Sequence, residues 1–287
     1  MKATMKRQKR ILLALGLIIS SLLSAQNHSS SLIVDLLTKK VIAEVPTSKS
    51  FDDIYSPCIQ VFQPTKEKGT GRAVVICPGG GYSMVTSGYE GSDWANYFKK
   101  LGIVTIVLKY RIPKGNYNLP LSDTEAAFKM IKDSAKVWSI NPDDIGIMGF
   151  SAGGHLASTF STHTQSSLKP KFQLLFYPVI TMDKTYTHMG SHDNFLGKDA
   201  SKELENLYSN EKQVTKDTPP AFVVFAADDK VVPPANGINF FQALIDNNVY
   251  ATLHIYPKGG HGWDFNYHYK YQEEILSELT LWLNELE

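Results

Sequence analysis

Seven short apolar runs punctuate the chain: CIQVF (58–62), AVVIC (73–77), VTIVLKY (104–110), IGIMGF (145–150), FQLLFYP (172–178), AFVVFAA (221–227) and ATLHIY (251–256). Runs this short, rich in Val, Ile and Phe and bounded by Gly, Pro or polar clusters, predict strands buried on both faces. Between them the pattern changes to a helical period. Helices are predicted over GSDWANYFKKLG (91–102), DTEAAFKMIKDSAKVW with Asp123 as its N-cap, GHLASTFST (154–162), INFFQALIDNN (238–248) and YQEEILSELTLWLNEL (271–286). Strands alternating with helices predict an α/β fold, a mostly parallel sheet covered on both faces. Residues 180–220 are irregular apart from a short helix at SKELENLYS, and read as an insertion rather than a second domain.

The N-terminus departs from this pattern. MKATMKRQKR holds five basic residues and no acid, the uncharged ILLALGLIISSLL follows, and Ala25 stands at a plausible cleavage point. This is the layout of a signal peptide, and the apolar run is short of the roughly 18–20 residues that span a bilayer. The expected organisation is a signal peptide at 1–25, a lead-in segment at 26–54 and a catalytic domain at 55–287. The destination is periplasmic or extracellular, with no stable membrane insertion after cleavage. Of the 29 basic and 28 acidic residues, the first 25 positions take five basic ones, which leaves a formal charge of −4. Nothing in that balance attracts nucleic acid. Cys58 and Cys77 could pair in an exported protein, but Cys77 closes a strand-like run where a buried thiol fits equally well.

In a parallel sheet ligands bind beyond the carboxyl ends of the strands, so the residues that follow each run are the ones to inspect. After IGIMGF comes Ser151 within GFSAGGH. A G-x-S-x-G match alone is weak; a serine at a sharp strand-to-helix turn is the setting of a nucleophile elbow. After AVVIC comes PGGGY, with no G-K-[ST] ending to make a phosphate loop. Its place suits an oxyanion loop, with the N–H groups of Gly80, Gly81 and Ala152 as the candidate donors. After AFVVFAA come Asp228 and Asp229, and after ATLHIY comes His261 in a glycine-flanked loop. The order Ser, Asp, His, each following a strand, would bring all three to one sheet edge.

His155 is the rival base, one helical turn beyond Ser151. A residue one turn into that helix lies deeper than the hydroxyl it would serve, so His155 reads as a core histidine. His254, within a strand, reads as structural. His163, His188, His192 and His268 show no metal-ligand spacing. Tyr82 and Trp263, with Phe265 and Tyr267 behind it, could present aromatic faces to a sugar ring or pack as core.

With PGGGY at 78, YRIP at 110, NPDDIGIMGFSAGGHLAST at 141, DDKVVP at 228 and PKGGHG at 257, the chain resembles the alpha/beta-hydrolase superfamily. It is most similar to the carbohydrate-esterase-like members related to acetyl xylan esterases, over about residues 55–285; THMGSHDNFLG looks like their variable segment. The resemblance implies Ser151 as nucleophile, His261 as base and an acid in the DDKVVP run. In similar sequences that acid stands two residues before Val-Val-Pro, which selects Asp229. The implied reaction removes a small acyl group, acetyl above all, from a polysaccharide or oligosaccharide and needs no cofactor or metal; the oligomeric state is left open. Alternatives are a prolyl-oligopeptidase-like peptidase, a general carboxylesterase or lipase, and a non-catalytic binding protein. PGGG stands where many lipase-like relatives carry HGGG, which weakens the lipase reading.

Overall fold

Nine strands form a single sheet in the computed structural model, which describes residues 31–44, 51, 54–164, 167–263 and 269–286. They are β1 (Ser31–Asp35), β2 (Val41–Glu44), β3 (Cys58–Phe62), β4 (Ala73–Cys77), β5 (Val104–Lys109), β6 (Ile145–Phe150), β7 (Gln173–Phe176), β8 (Ala221–Ala226) and β9 (Ala251–Tyr256). Their order is β2-β1-β3-β5-β4-β6-β7-β8-β9. The β1–β2, β1–β3 and β3–β5 pairs are antiparallel, and every pair from β5 to β9 is parallel. The seven predicted runs are β3 to β9. The expected lead-in segment contributes β1 and β2, which extend the sheet by an antiparallel edge. The expected signal peptide, Phe265, Tyr267 and His268 lie outside the described residues.

Helices α1 (Ala95–Lys100), α2 (Asn118–Trp138), α3 (Ser151–His163), α4 (Met189–Leu196), α5 (Lys202–Leu207), α6 (Ala235–Asp246) and α7 (Gln272–Glu285) flank this sheet. Strands β4, β6 and β8 are buried at every position, which is why they read as unbroken apolar runs. Asp123 is not an N-cap. Helix α2 starts five residues earlier, because Pro120 in its first turn needs no intrahelical N–H partner. The buried Asp123 carboxylate instead accepts from the Arg111 backbone N–H at 2.8 Å and from its guanidinium Nη2 at 2.7 Å. That pair ties α2 to the chain leaving β5.

Two features of the topology position the site. β5 lies on one side of β4 and β6 on the other, so the chain reverses direction across the sheet at β4. A crevice opens at such a switch point, between the carboxyl ends of β4 and β6. The 180–220 segment, holding α4 and α5, then packs over α3. His155 Nε2 meets the Tyr208 carbonyl at 2.8 Å, and Asn210 Nδ2 donates to Ser158 Oγ at 2.7 Å. These contacts hold the segment against α3.

Candidate active site

Ser151 is the first residue of α3, directly after the last residue of β6. Its φ of 50° is a left-handed conformation that non-glycine residues avoid, so the turn holds the serine in a strained backbone. The tightness depends on missing side chains. A Cβ at Gly149 would lie 2.3 Å from the Gly153 carbonyl oxygen, and one at Gly153 would lie 2.0 Å from that of Cys77. A side chain at Gly149 would push α3 away from β6, and one at Gly153 would push it away from the end of β4.

Three side chains from three strand ends meet at this turn. His261 Nε2 lies 2.8 Å from Ser151 Oγ, and His261 Nδ1 lies 2.7 Å from Asp229 Oδ2. A carboxylate accepts only, so Nδ1 carries the hydrogen and Nε2 is left to accept from the serine hydroxyl. Asp229 is 5% exposed, and its other oxygen accepts from the N–H groups of Val231 at 2.9 Å and Val232 at 3.0 Å. Asp228 points elsewhere. Its Oδ1 accepts from Gly260 N–H at 2.8 Å, fixing the histidine loop from outside.

The donor loop follows β4. A peptide N–H points opposite to the carbonyl of the same planar unit. The Gly79 carbonyl accepts from Thr86 N–H, the Gly80 carbonyl from Ser83 and Met84, and the Ser151 carbonyl from Val179. These bonds turn the N–H groups of Gly80, Gly81 and Ala152 away from the loop interior. Ala152 adds the unpaired N–H and positive end of a helix start. At Gly80 only glycine fits: φ is 120°, and a Cβ would meet the Met84 carbonyl oxygen at 2.3 Å.

Further side chains around this site lie outside the serine, glycine, aspartate and histidine motifs. Glu90, 2% exposed, accepts from Gly79 N–H at 2.7 Å and from the Tyr177 hydroxyl at 2.9 Å, and Thr86 Oγ1 donates to the same carboxylate. Burial raises its pKa above the usual carboxylate value, while hydrogen bonds from Thr86, Tyr177 and Gly79 oppose that shift. The Tyr177 ring stands edge-on to His261 with centroids 4.8 Å apart, and its hydroxyl reaches toward the Trp263 carbonyl. Asn194 Nδ2 donates to the Gly81 carbonyl at 2.8 Å, and His188 borders Gly81. A Glu in the sequence GYEGS reads as a solvated turn, and only the fold shows it to be buried.

Tyr82 does not line the site. Its φ of 57° turns the ring inward, where it is fully buried, stacks on Phe195 and hydrogen-bonds His155 Nδ1 at 3.0 Å. The sequence expectation of a sugar-stacking Tyr82 is therefore corrected. Trp263 is half-buried beyond His261. Tyr269 covers one face of its indole, with centroids 4.4 Å apart and planes 3° from parallel.

His155 is wholly buried, with both ring nitrogens engaged by Tyr82 and Tyr208. Burial lowers its pKa to about 3. His254 packs beside Phe222 and meets Thr252 Oγ1 at 3.1 Å. Among the described residues, no group of three His, Cys, Asp or Glu side chains could hold a metal ion. Cys58 and Cys77 are buried free thiols. β5 separates their strands, so two strand spacings of about 4.8 Å each exceed the reach of a disulfide.

A mostly parallel sheet that turns into a helix at a strained serine, beside a histidine and an acid from later strand ends, defines an alpha/beta hydrolase. Comparison with known proteins narrows the class. The BD-FAE family model matches residues 59–244, and the chain belongs to that family. It is 45% identical to an acetylxylan esterase of Xylanibacter ruminicola over 77% of this chain and 47% of that protein. It is 33% identical to endo-1,4-beta-xylanase B of Butyrivibrio fibrisolvens, over 66% of this chain and 32% of that one. The chain thus spans half or less of these relatives. Among solved structures, it resembles an acetyl ester-xyloside bifunctional hydrolase from Caldicellulosiruptor lactoaceticus with a TM-score of 0.77 at 28% identity, covering 88% of this chain and 95% of that one. Its kinship is with carboxylesterases and acetylesterases of the serine-hydrolase type. Among the described residues, no helix is long and apolar enough to cross a membrane.

Proposed function

We propose that this protein hydrolyses small acyl esters, acetyl above all, on xylan-type polysaccharide or oligosaccharide through an acyl-serine intermediate. The observation that carries the reading is the relay in which His261 lies 2.8 Å from Ser151 Oγ and 2.7 Å from Asp229 Oδ2. His261 Nε2 takes the hydroxyl proton as Ser151 Oγ attacks the ester carbonyl. Asp229 keeps the imidazole in the required tautomer and stabilises its cation. The N–H groups of Gly80, Gly81 and Ala152 receive the oxyanion. As the tetrahedral intermediate collapses, the C–O bond to the alcohol breaks and His261 returns the proton to the departing oxygen. Water then attacks the acyl-serine by the same route, releasing the acid and restoring Ser151. The substrate part of the reading is supported by the acetylxylan esterase relative and by the acetyl ester-xyloside hydrolase.

The deciding experiment offers purified protein four substrates: acetylated xylo-oligosaccharide, p-nitrophenyl acetate, a longer acyl ester and a peptide amide. Acetate release from the oligosaccharide, abolished by Ser151→Ala, is the expected result. No ester turnover above the Ser151→Ala background would overturn the esterase reading, and preferred cleavage of the amide would point to a peptidase. Export belongs to the same proposal, supported by the basic and apolar pattern of the first 25 residues. Cell fractionation should recover a chain shortened at Ala25 outside the cytoplasm. Full-length chain confined to the cytoplasm would refute export.

A further inference from the structure

We propose that His188 is a substrate-contacting residue of this site, whose Nε2–H donates a hydrogen bond to the alcohol portion of the bound ester. It would thereby favour alcohols that carry additional oxygen acceptors, as a sugar does. The proposal rests on the esterase reading above.

The tautomer is set by the local fold. His188 is the N-cap of α4, where its Nδ1 accepts the Ser191 backbone N–H at 3.2 Å, with Ser191 Oγ at 2.9 Å. A ring nitrogen that accepts a backbone N–H carries no hydrogen, so the hydrogen of the neutral ring sits on Nε2. Burial, and then the nearby His261, lower the pKa of His188 below the ordinary histidine value. Near neutral pH the ring is therefore an uncharged donor. Among the described residues, none is hydrogen-bonded to Nε2, and the side chain is half-buried rather than sealed.

The ring stands beside the proposed oxyanion loop. A Cβ on Gly81 would lie 3.6 Å from His188 Cε1, so the imidazole borders one of the proposed oxyanion donors. The departing alcohol oxygen must sit against His261 Nε2, because that atom returns its proton. The rest of the alcohol that extends from there past Gly81 would meet the His188 ring, which borders that residue. Gly190 makes room for the ring, since a Cβ there would lie 3.0 Å from Cε1 and 3.4 Å from Nε2. The spacing is held from below. Asn194, on the same helix, donates to the Gly81 carbonyl at 2.8 Å, and its own carbonyl accepts from Gly115 N–H at 2.7 Å. This coupling makes α4 a fixed wall of the crevice.

The test compares wild type, His188→Phe (ring kept, donor lost) and His188→Gln (an amide donor restored). Values of kcat/KM are measured for acetylated xylo-oligosaccharide and for phenyl acetate, whose leaving group carries no oxygen beyond the ester oxygen. The Phe variant should lose at least tenfold more on the oligosaccharide than on the aryl ester, mainly through KM, and the Gln variant should recover part of that difference. Equal losses on both substrates, or no loss on either, would overturn the proposal. Calorimetric binding of the same oligosaccharide to Ser151→Ala, with and without His188→Phe, reads the contact without turnover. A tenfold weaker Kd is expected, and an unchanged Kd overturns the contact. Failure of the esterase reading looks different, because wild type would then turn over neither ester.

Discussion

His261→Ala should lower kcat/KM for p-nitrophenyl acetate by about 10⁴-fold, the scale seen when a member of such a relay is removed, with little change in melting temperature. His155→Ala should do the opposite. Its loss would empty a buried ring site and leave the Tyr82 hydroxyl and the Tyr208 carbonyl without their partners. That combination costs about 3–5 kcal/mol of stability, while folded protein should keep most of its turnover. Parallel measurement of kinetics and urea unfolding on both variants checks the pair. A large kinetic loss in His155→Ala, at full stability and with His261→Ala near wild type, would reverse the assignment of the base. The two histidines also differ in pH behaviour. The folded-state pKa of His155 lies at about 3, well below the ordinary value of 6.5. Between those two values the unfolded chain binds a proton that the native state refuses. Stability should therefore be complete above pH 6.5 and fall as the pH drops toward 3, by about 1.4 kcal/mol per pH unit for this one group.

How far the fold could be read from the sequence depended on where each segment's burial came from. Strands β3 to β9 were legible because a parallel sheet buries both faces of its strands, leaving unbroken apolar runs. β1 and β2, SLIVD and VIAE, are short antiparallel strands with charged ends, and their pairing rather than their composition makes them strands. Helix α4, MGSHDNFL, holds a glycine and few apolar residues, so its helicity depends on its N-cap and on contacts with the loop after β4. The positions of Ser151, Asp229 and His261 were legible because each follows a strand and parallel strands share a carboxyl edge. Side-chain direction was not. Tyr82 follows the oxyanion glycines in sequence, yet its left-handed φ sends the ring into the core. Asp123 looked like a helix cap, yet its partner is Arg111, just beyond the end of β5.

Glu90 was invisible to sequence reasoning, and its removal should be the second largest effect. Its carboxylate joins two parts of the site that no other side chain links directly among the described contacts. One oxygen holds the Gly79 N–H, the peptide just before the proposed oxyanion donors, and the other holds the Tyr177 hydroxyl, whose ring flanks His261. Glu90→Ala would take this acceptor from the Gly79 N–H and from the Thr86 and Tyr177 hydroxyls, at about 1–3 kcal/mol for each that is left buried and unpaired, and free the PGGG loop to move. Losing one oxyanion donor costs about 10²–10³-fold in kcat, so a loop that misplaces its donors should cost about 10²-fold, with KM little altered. Glu90→Gln separates hydrogen bonding from charge. The amide oxygen can still accept from Gly79, while its NH₂ can donate to Tyr177, because a hydroxyl rotates to accept. If the bonds are what matter, the Gln variant should stay within about threefold of wild type while Ala loses about 10²-fold. If Gln falls as far as Ala, the negative charge beside His261 is the contribution, and the account of Glu90 as a hydrogen-bonded strut fails. Stability adds a second readout. The folded-state pKa of Glu90 is raised above its unfolded value, so its contribution is fully present below the ordinary carboxylate pKa and is lost as pH rises through the folded value. Glu90→Gln, which has no charge to bury, should abolish that part of the decline, visible as a flatter dependence of unfolding free energy on pH.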